Sequence, residues 1–255
     1  MKKTLIALAV AASAVVSGSA MAWDPNGTGG SLELGGTLSP VEKQTPWEVQ
    51  VGAAVTNLNG QIQKGVTTAE ITTAANIPVL GIRNTTVFNG QPNIKPIINF
   101  GGALNVDNFS GNMSTLTLNV NGQGGKIGVL TAPVYAAAIL KAKYGEAVDM
   151  NYLAANGGGA FSGGLPVSTS GVTMSGAYET LAQIFSDIWQ NEIPDAAKSW
   201  NITENERFAD GSVQYSASYA AGILKDARIN IKLDTPAAAD DIAWTASLPV
   251  TVSYQ

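Results

Sequence analysis

With 255 residues, 19 acidic against 14 basic side chains, no histidine and no cysteine, the chain lacks a disulfide framework and a Ser–His or Cys nucleophile, and has few of the usual transition-metal ligands. Its formal charge of −5 gives no electrostatic footprint for nucleic acid or anionic lipid. Charged residues make up only 13%, against about 25% in typical domains, so solubility falls to Ser, Thr, Asn and Gly, as in many extracellular β proteins.

Residues 1–22 read as a signal peptide, with Lys2 and Lys3 ahead of an apolar core from Leu5 to Val16 and the small-x-small site Ala20-Met21-Ala22. The apolar core is shorter than the roughly 20 residues that span a bilayer. Removing 22 residues leaves 233, with 12 basic and 19 acidic side chains, enough for one elaborated domain or two small ones. A glycine-rich leader, "WDPNGTGG", then runs into "GSLELGGTLSP" at 30–40. By strand parity Leu32, Leu34, Gly36 and Leu38 share one face, opposite Glu33, Gly35 and Thr37. This segment is either an ordinary first strand with a bulge at Gly35-Gly36 or a strand that leaves its own domain for another's groove.

Short strands with turn punctuation follow. Trp47, Val49 and Val51 alternate with Glu48 and Gln50, and Leu116, Leu118 and Val120 do the same before the turn "NGQGG". That turn leads into "KIGVLTAPVYAA", its expected hairpin partner. Ala136 to Tyr144 is Ala-rich and is expected to form a short helix closed by Gly145. The stretch "NGGGAFSGGLP" (156–166) reads as a flexible loop or bulged segment. Tyr178, Leu181, Ile184, Phe185 and Ile188 recur at helical spacing, with Ser175 as N-cap and Pro194 as terminator; this stripe is expected to pack on the edge of a sandwich. Three alternating runs close the chain: "VQYSASY", "ARINIKL" and "WTASLPVTVSY". The pattern predicts a mostly β fold, a β-sandwich with a partly helical insert at about 134–205.

The last run carries an unbroken apolar parity from Trp244 through Ala246, Leu248, Val250 and Val252 to Tyr254, against Thr245, Ser247, Thr251 and Ser253. A chain that ends inside a core strand leaves no residues for a following one, so if the sandwich needs one more strand, another polypeptide is expected to add it to the exposed edge.

No reading of the residues points to an enzyme. Asp240 and Asp241 are adjacent, which in a strand aims them at opposite faces, and they suit a turn better than a catalytic dyad. "GQGGKIG" lacks the phosphate-loop spacing and the Ser/Thr after Lys126, and Asp24-Pro25-Asn26-Gly27 lacks the alternating acids of a calcium loop. No metal or cofactor is expected.

"GSLELGGTLSP" resembles the N-terminal donor segment of chaperone–usher fimbrial subunits, and the chain as a whole is similar to the Fae-type subunits of enterotoxigenic Escherichia coli. The likeness runs through "MKKTLIALA", the start at Trp23, "TPWEVQVG", "NIPVLGI", "GGLP" at 163–166, "FADGSVQYSASYAAGI" and the terminal "WTASLPVTVSY". It implies an incomplete immunoglobulin-like sandwich, residues 41–255, completed by a donor strand from the 23–40 extension of a neighbouring subunit. It also implies a periplasmic chaperone, an outer-membrane usher and a route through the periplasm to a surface fimbria. In that scheme Leu32, Leu34 and Leu38 fill groove pockets and Gly36 meets a shallow one. Leu248, Val250, Val252 and Tyr254 form the edge taken by chaperone and donor. The chain looks closer to a minor, structural subunit; the alternative is a major subunit that is itself an adhesin for a host glycoconjugate. No sugar site is named, because Tyr144, Tyr152 and Phe161, the aromatics near the insert, suit packing better than stacking on a ligand.

Overall fold

The structure, a computed structural model, describes residues 34–39, 44–155 and 159–255 together with Pro25 and Thr28. The chain divides into two units, 1–43 and 44–255. In the first, residues 34–39 belong to no helix or strand, and Leu34 and Leu38 are 87% and 97% exposed. The expected signal peptide and Leu32 lie outside the described residues.

The second unit holds the strands β1 (Trp47–Val51), β2 (Thr68–Thr72), β3 (Ile77–Asn84), β4 (Phe88–Asn89), β5 (Pro96–Asn99), β6 (Met113–Gly122), β7 (Gly125–Tyr144) and β8 (Ala147–Leu153). One helix, α1 (Ala177–Ile184), precedes β9 (Ser199–Thr203), β10 (Gln214–Ile223), β11 (Arg228–Leu233), β12 (Thr245–Ala246) and β13 (Thr251–Tyr254). One large sheet has the backbone order β1-β3-β10-β7-β11-β2, with β6, β8, β9 and β12 attached around β7 and β4 on β10. A second sheet consists of β13 and β5. Side chains of both sheets share one core, from Leu80, Ile82, Leu140, Tyr215 and Tyr219 on the large sheet to Ile98 on the small one. The architecture is a mostly β, immunoglobulin-like sandwich with open sheets.

β7 is the element that sequence reasoning misread. Ala136–Tyr144, expected as a helix, is the second half of a 20-residue strand. It is laddered to β10 from Tyr135 to Lys143 on one side and to β8 from Ile139 to Tyr144 on the other. Two ladders satisfy its backbone, and cover on both faces buries Val134 to Ala142 without alternation, so the period-2 signal vanishes and alanine's helix preference misleads. Small side chains here let two layers approach one strand. Ala136, Ala138 and Ala142 face the sandwich, whereas Ala137 and Ile139 face α1. The helical elaboration therefore begins beyond Leu153 rather than at 134. It is the crossover joining two parallel neighbours, β8 and β9, which a tight turn cannot connect.

Leu181, Ile184, Phe185 and Ile188 do pack on the sheet, as the stripe predicts. The helix, however, is capped by Gly176 at φ 68° rather than by Ser175, and it stops at Ile184, ten residues before Pro194. Past that point the sheet's polar side chains hold the chain as an irregular strap. Ser218 Oγ donates to Ile188 O (3.0 Å), Asn84 Nδ2 to Asn191 O (2.7 Å) and Lys141 Nζ to Ile193 O (2.9 Å), while Ile193 N–H donates to Ser216 Oγ (2.9 Å). These account for four buried polar side chains on strands β3, β7 and β10.

Candidate strand-acceptor groove

The parity read at the C-terminus reappears as alternating exposure. Trp244, Ala246, Leu248, Val250, Val252 and Tyr254 are half-buried, and each residue between them is exposed. Their inward side chains stop short of the coverage reached elsewhere: Leu80, Ile82, Leu140 and Tyr219, on interior strands of the same sandwich, are all at 0% exposure. Sequence reasoning took this run as one strand, and the structure breaks it at Ser247–Val250. Pro249, which has no N–H for a ladder, carries the chain from β12, paired with β6 in the large sheet, to β13, paired with β5 in the small one. Gly101, at φ 60°, makes the passage possible, since a Cβ there would lie 2.7 Å from Pro249 Cγ.

The hydrogen-bond phase of β13 fixes which main-chain groups face outward. Lys95 N–H donates to Gln255 O (2.8 Å) and Gln255 N–H to Lys95 O (3.0 Å). In an antiparallel ladder alternate residues bond, so Ser253 and Thr251 also turn to β5, and Val252 and Val250 turn their N–H and C=O away. Ile98, opposite Val252, obeys the same phase and gives its amide to Ser162 O (2.8 Å). Among the described residues no strand pairs with β13 on its outer side.

A second wall was missed in the sequence. Val49 and Val51 of β1 pair with Ile82 and Leu80, whose side chains point into the core, yet the two valines are 41% and 60% exposed. β1 pairs only with β3 among the described residues, so it too is an edge with an uncovered inward face. Period-2 alternation had located the strand; nothing local marked it as an edge. The two walls are stitched at one end. The Tyr254 phenol, pushed up by burial, is hydrogen-bonded to Thr45, and Trp47 Nε1–H donates to Ile94 O (2.6 Å), beside the Lys95–Gln255 pair. On its other face β1 is tied down by Arg83, whose guanidinium bridges Glu48 (2.6 Å) and Asp187 (2.9 Å) beside a cavity of about 270 Å³.

Of the residues read in the sequence as a donor segment, 34–39 are described. Leu34 and Leu38 are exposed, and a Cβ on Gly35 or Gly36 would meet nothing within 4 Å. The three aromatics near the insert separate cleanly. Phe161 is 1% exposed, inside a ring cluster with Trp47, Phe208 and Tyr219; Tyr152 is buried under α1; Tyr144 is 44% exposed. The segment 156–166, read as a flexible loop or bulged segment, is mostly buried over its described residues 159–166. Among the described residues there is no cluster of three or more acidic, His or Cys side chains able to hold a metal, and no helix long and apolar enough to cross a membrane.

An immunoglobulin-like sandwich with two edge strands whose inward faces are incompletely covered is, as a class, a module with room for a further strand. Family comparison makes the assignment specific. The model for the K88 fimbrial family, described as fimbrial major and minor subunits, matches residues 1–255, and the chain belongs to that family. K88 fimbrial protein AD of Escherichia coli is 30% identical over 287 aligned positions, covering the whole of both chains. K88 fimbrial protein AC is 30% identical over 286, and F41 fimbrial protein of the same organism 24% over 280, again across both full lengths. These relatives are surface fimbrial proteins and not enzymes.

Proposed function

We propose that this chain is a minor structural subunit of a bacterial surface fimbria, assembled by donor-strand exchange. The observation that carries the reading is the C-terminal strand: an apolar inward face, half-buried residue by residue, beside main-chain groups turned to a side with no described partner. In this reading residues 1–22 direct export, 23–40 form the donor extension, and the rest is the acceptor sandwich. A periplasmic chaperone first lends a strand to the edge formed by Leu248, Val250, Val252 and Tyr254, with Val49 and Val51 as the opposite wall. At the outer-membrane usher the next subunit's Leu32, Leu34 and Leu38 replace it, with Gly36 passing where a side chain would not fit. Each leucine buried is worth roughly 1.5–3 kcal/mol, and the new ladder adds to that, enough for a durable non-covalent joint.

One feature favours a minor role over that of a major, receptor-binding subunit. Of the aromatics considered for a glycan, only Tyr144 is exposed.

The test deletes residues 23–38, co-expresses the remainder with the periplasmic chaperone, and adds a peptide covering Gly30–Pro40 to the released subunit. Three leucines entering a groove should raise the melting midpoint by more than about 10 °C, given about 2–4 °C per kcal/mol at this size. A Gly36→Leu peptide should lose most of the rise. A truncated subunit already stable without chaperone or peptide refutes strand donation. Polymer that binds host glycoconjugate would move the assignment to the adhesin.

A further inference from the structure

The sandwich has another edge, on the side away from the groove. β9 runs parallel to β8 and, among the described residues, pairs with nothing on its other side. Two of its apolar side chains, Trp200 (57% exposed) and Ile202 (36%), stand on one face. Edge strands are ordinarily guarded by an internal lysine, a proline or a bulge. The sequence "SWNIT" contains none of these, and instead one charge of each sign brackets it, Lys198 before and Glu204 after.

The backbone phase determines what can add there. Ala154 N–H donates to Thr203 O (2.9 Å), and alternate residues of a parallel ladder bond, so Ser199, Asn201 and Thr203 turn their main chain toward β8, and Trp200 and Ile202 turn theirs outward. An antiparallel copy of the same strand centred on Asn201 meets this phase. Asn201 lies opposite Asn201 of the second copy, Ser199 opposite Thr203, Trp200 opposite Ile202, and Lys198 opposite Glu204. The Trp–Ile pairs then occupy the hydrogen-bonded positions of the new ladder, and an aromatic beside a β-branched residue is a favourable cross-strand pair. Both charge pairs are of opposite sign. Sliding the register by two residues in either direction sets a charge against Trp200 or Ile202, and sliding it by one sets outward main-chain groups against inward ones. Only one register satisfies everything.

We propose that β9 is a self-complementary docking edge at which two copies of this chain join antiparallel about a twofold axis through Asn201. A five-residue ladder falls well below the roughly 1,000 Å² of a stable complex, so a single contact is weak. It becomes effective when copies are held side by side, as on adjacent filaments or clustered subunits.

Sedimentation velocity of the full mature chain, over a wide concentration range, tests this. A monomer–dimer equilibrium is expected. Lys198→Glu and Glu204→Lys should each raise the dissociation constant about tenfold by placing like charges opposite one another at both ends of the ladder. The double variant Lys198→Glu/Glu204→Lys should restore dimerisation, because each swapped pair is again complementary. Both side chains lie outside the core, and unchanged melting midpoints verify that the fold is intact. A chain monomeric throughout, or one whose association ignores the single variants or is not restored by the double, overturns the proposal. Association through the strand-acceptor groove would be insensitive to all three variants, so the two kinds of contact are told apart.

Discussion

Replacing Gly163 by Ala tests how the buried segment 159–166 supports the groove. Gly163 sits at φ 69°, and a Cβ there would overlap the carbonyl oxygen of Ile98, 3.2 Å from the carbonyl carbon. Holding Ala in the left-handed region costs about 1–2 kcal/mol. The overlap adds to this, since a carbonyl in a ladder cannot swing away as a flexible side chain does. Ile98 lies opposite Val252 on β13 and gives its amide to Ser162, so relief requires β5 to shift, with loss of a bond worth about 1 kcal/mol and of packing beside it. The total is at least about 3 kcal/mol, or about 10 °C in midpoint for a domain of this size. Gly145 supplies the control: φ is 60° and nothing lies within 4 Å of its Cβ position, so Gly145→Ala bears the backbone cost alone, about 3–6 °C. Scanning calorimetry of the mature chain measures both, and titration with the Gly30–Pro40 peptide should show weaker uptake only for Gly163→Ala, because β5 carries β13 with it. Equal effects of the two substitutions would refute the coupling.

Phe161→Ala should destabilise by about 3–5 kcal/mol, whereas Tyr144→Ala should stay within about 1 kcal/mol; urea unfolding of both would fix the first as a core residue and leave the second for ligand tests. Val252→Asp should abolish peptide capture in isothermal titration by placing a charge on the groove's inward face, and Thr251→Asp, on the exposed parity, should leave it intact. Glu206 is half-buried, and burial first, then the charge of Asp149, hold its carboxyl above the ordinary range against an opposing hydrogen bond from the Arg207 backbone. A raised folded value means that this group's stabilisation is present below the unfolded Glu range and is lost as pH rises through the folded value. Glu206→Gln should therefore raise the midpoint at neutral pH, and its advantage should shrink as pH falls below the ordinary carboxylate range in a series of melts.

Where one face of an element is wet, its pattern was legible. The parity from Trp244 to Tyr254 and the strands β6 and β11 follow from alternation, because a half-covered strand must sort its side chains. The helix stripe of Leu181, Ile184 and Phe185 was readable for the same reason. Alternation fails where both faces are covered, as at Ala136–Tyr144. It also cannot reveal tertiary anchoring. Phe161 and the glycines at 163 and 164 look like a loop, yet Tyr219 donates to Gly164 O (3.0 Å) and stacks on Phe161, so partners more than fifty residues away bury them. Edge status is equally non-local. Val49 and Val51 read as core residues, and only the absence of a second described partner for β1 exposes them.

The break at Pro249 ties these points to the proposed function. A single unbroken strand from Trp244 to Tyr254 would belong to one sheet and complete one edge. By changing sheets, the chain sets β12 at the margin of the large sheet and β13 at the margin of the small one. Each then presents its inward parity only half-covered. β1, on the opposite wall, contributes two more uncovered valines. Exposed apolar edges of this kind invite aggregation, and the chain has no cysteine for a disulfide and, among the described residues, no metal-binding cluster to brace them. Such a fold has a reason to persist only if something covers those edges at every stage of its life. The proposed chaperone strand first and a neighbour's leucines afterwards would meet that requirement, and the segment carrying Leu34 and Leu38, itself exposed, would have the matching need.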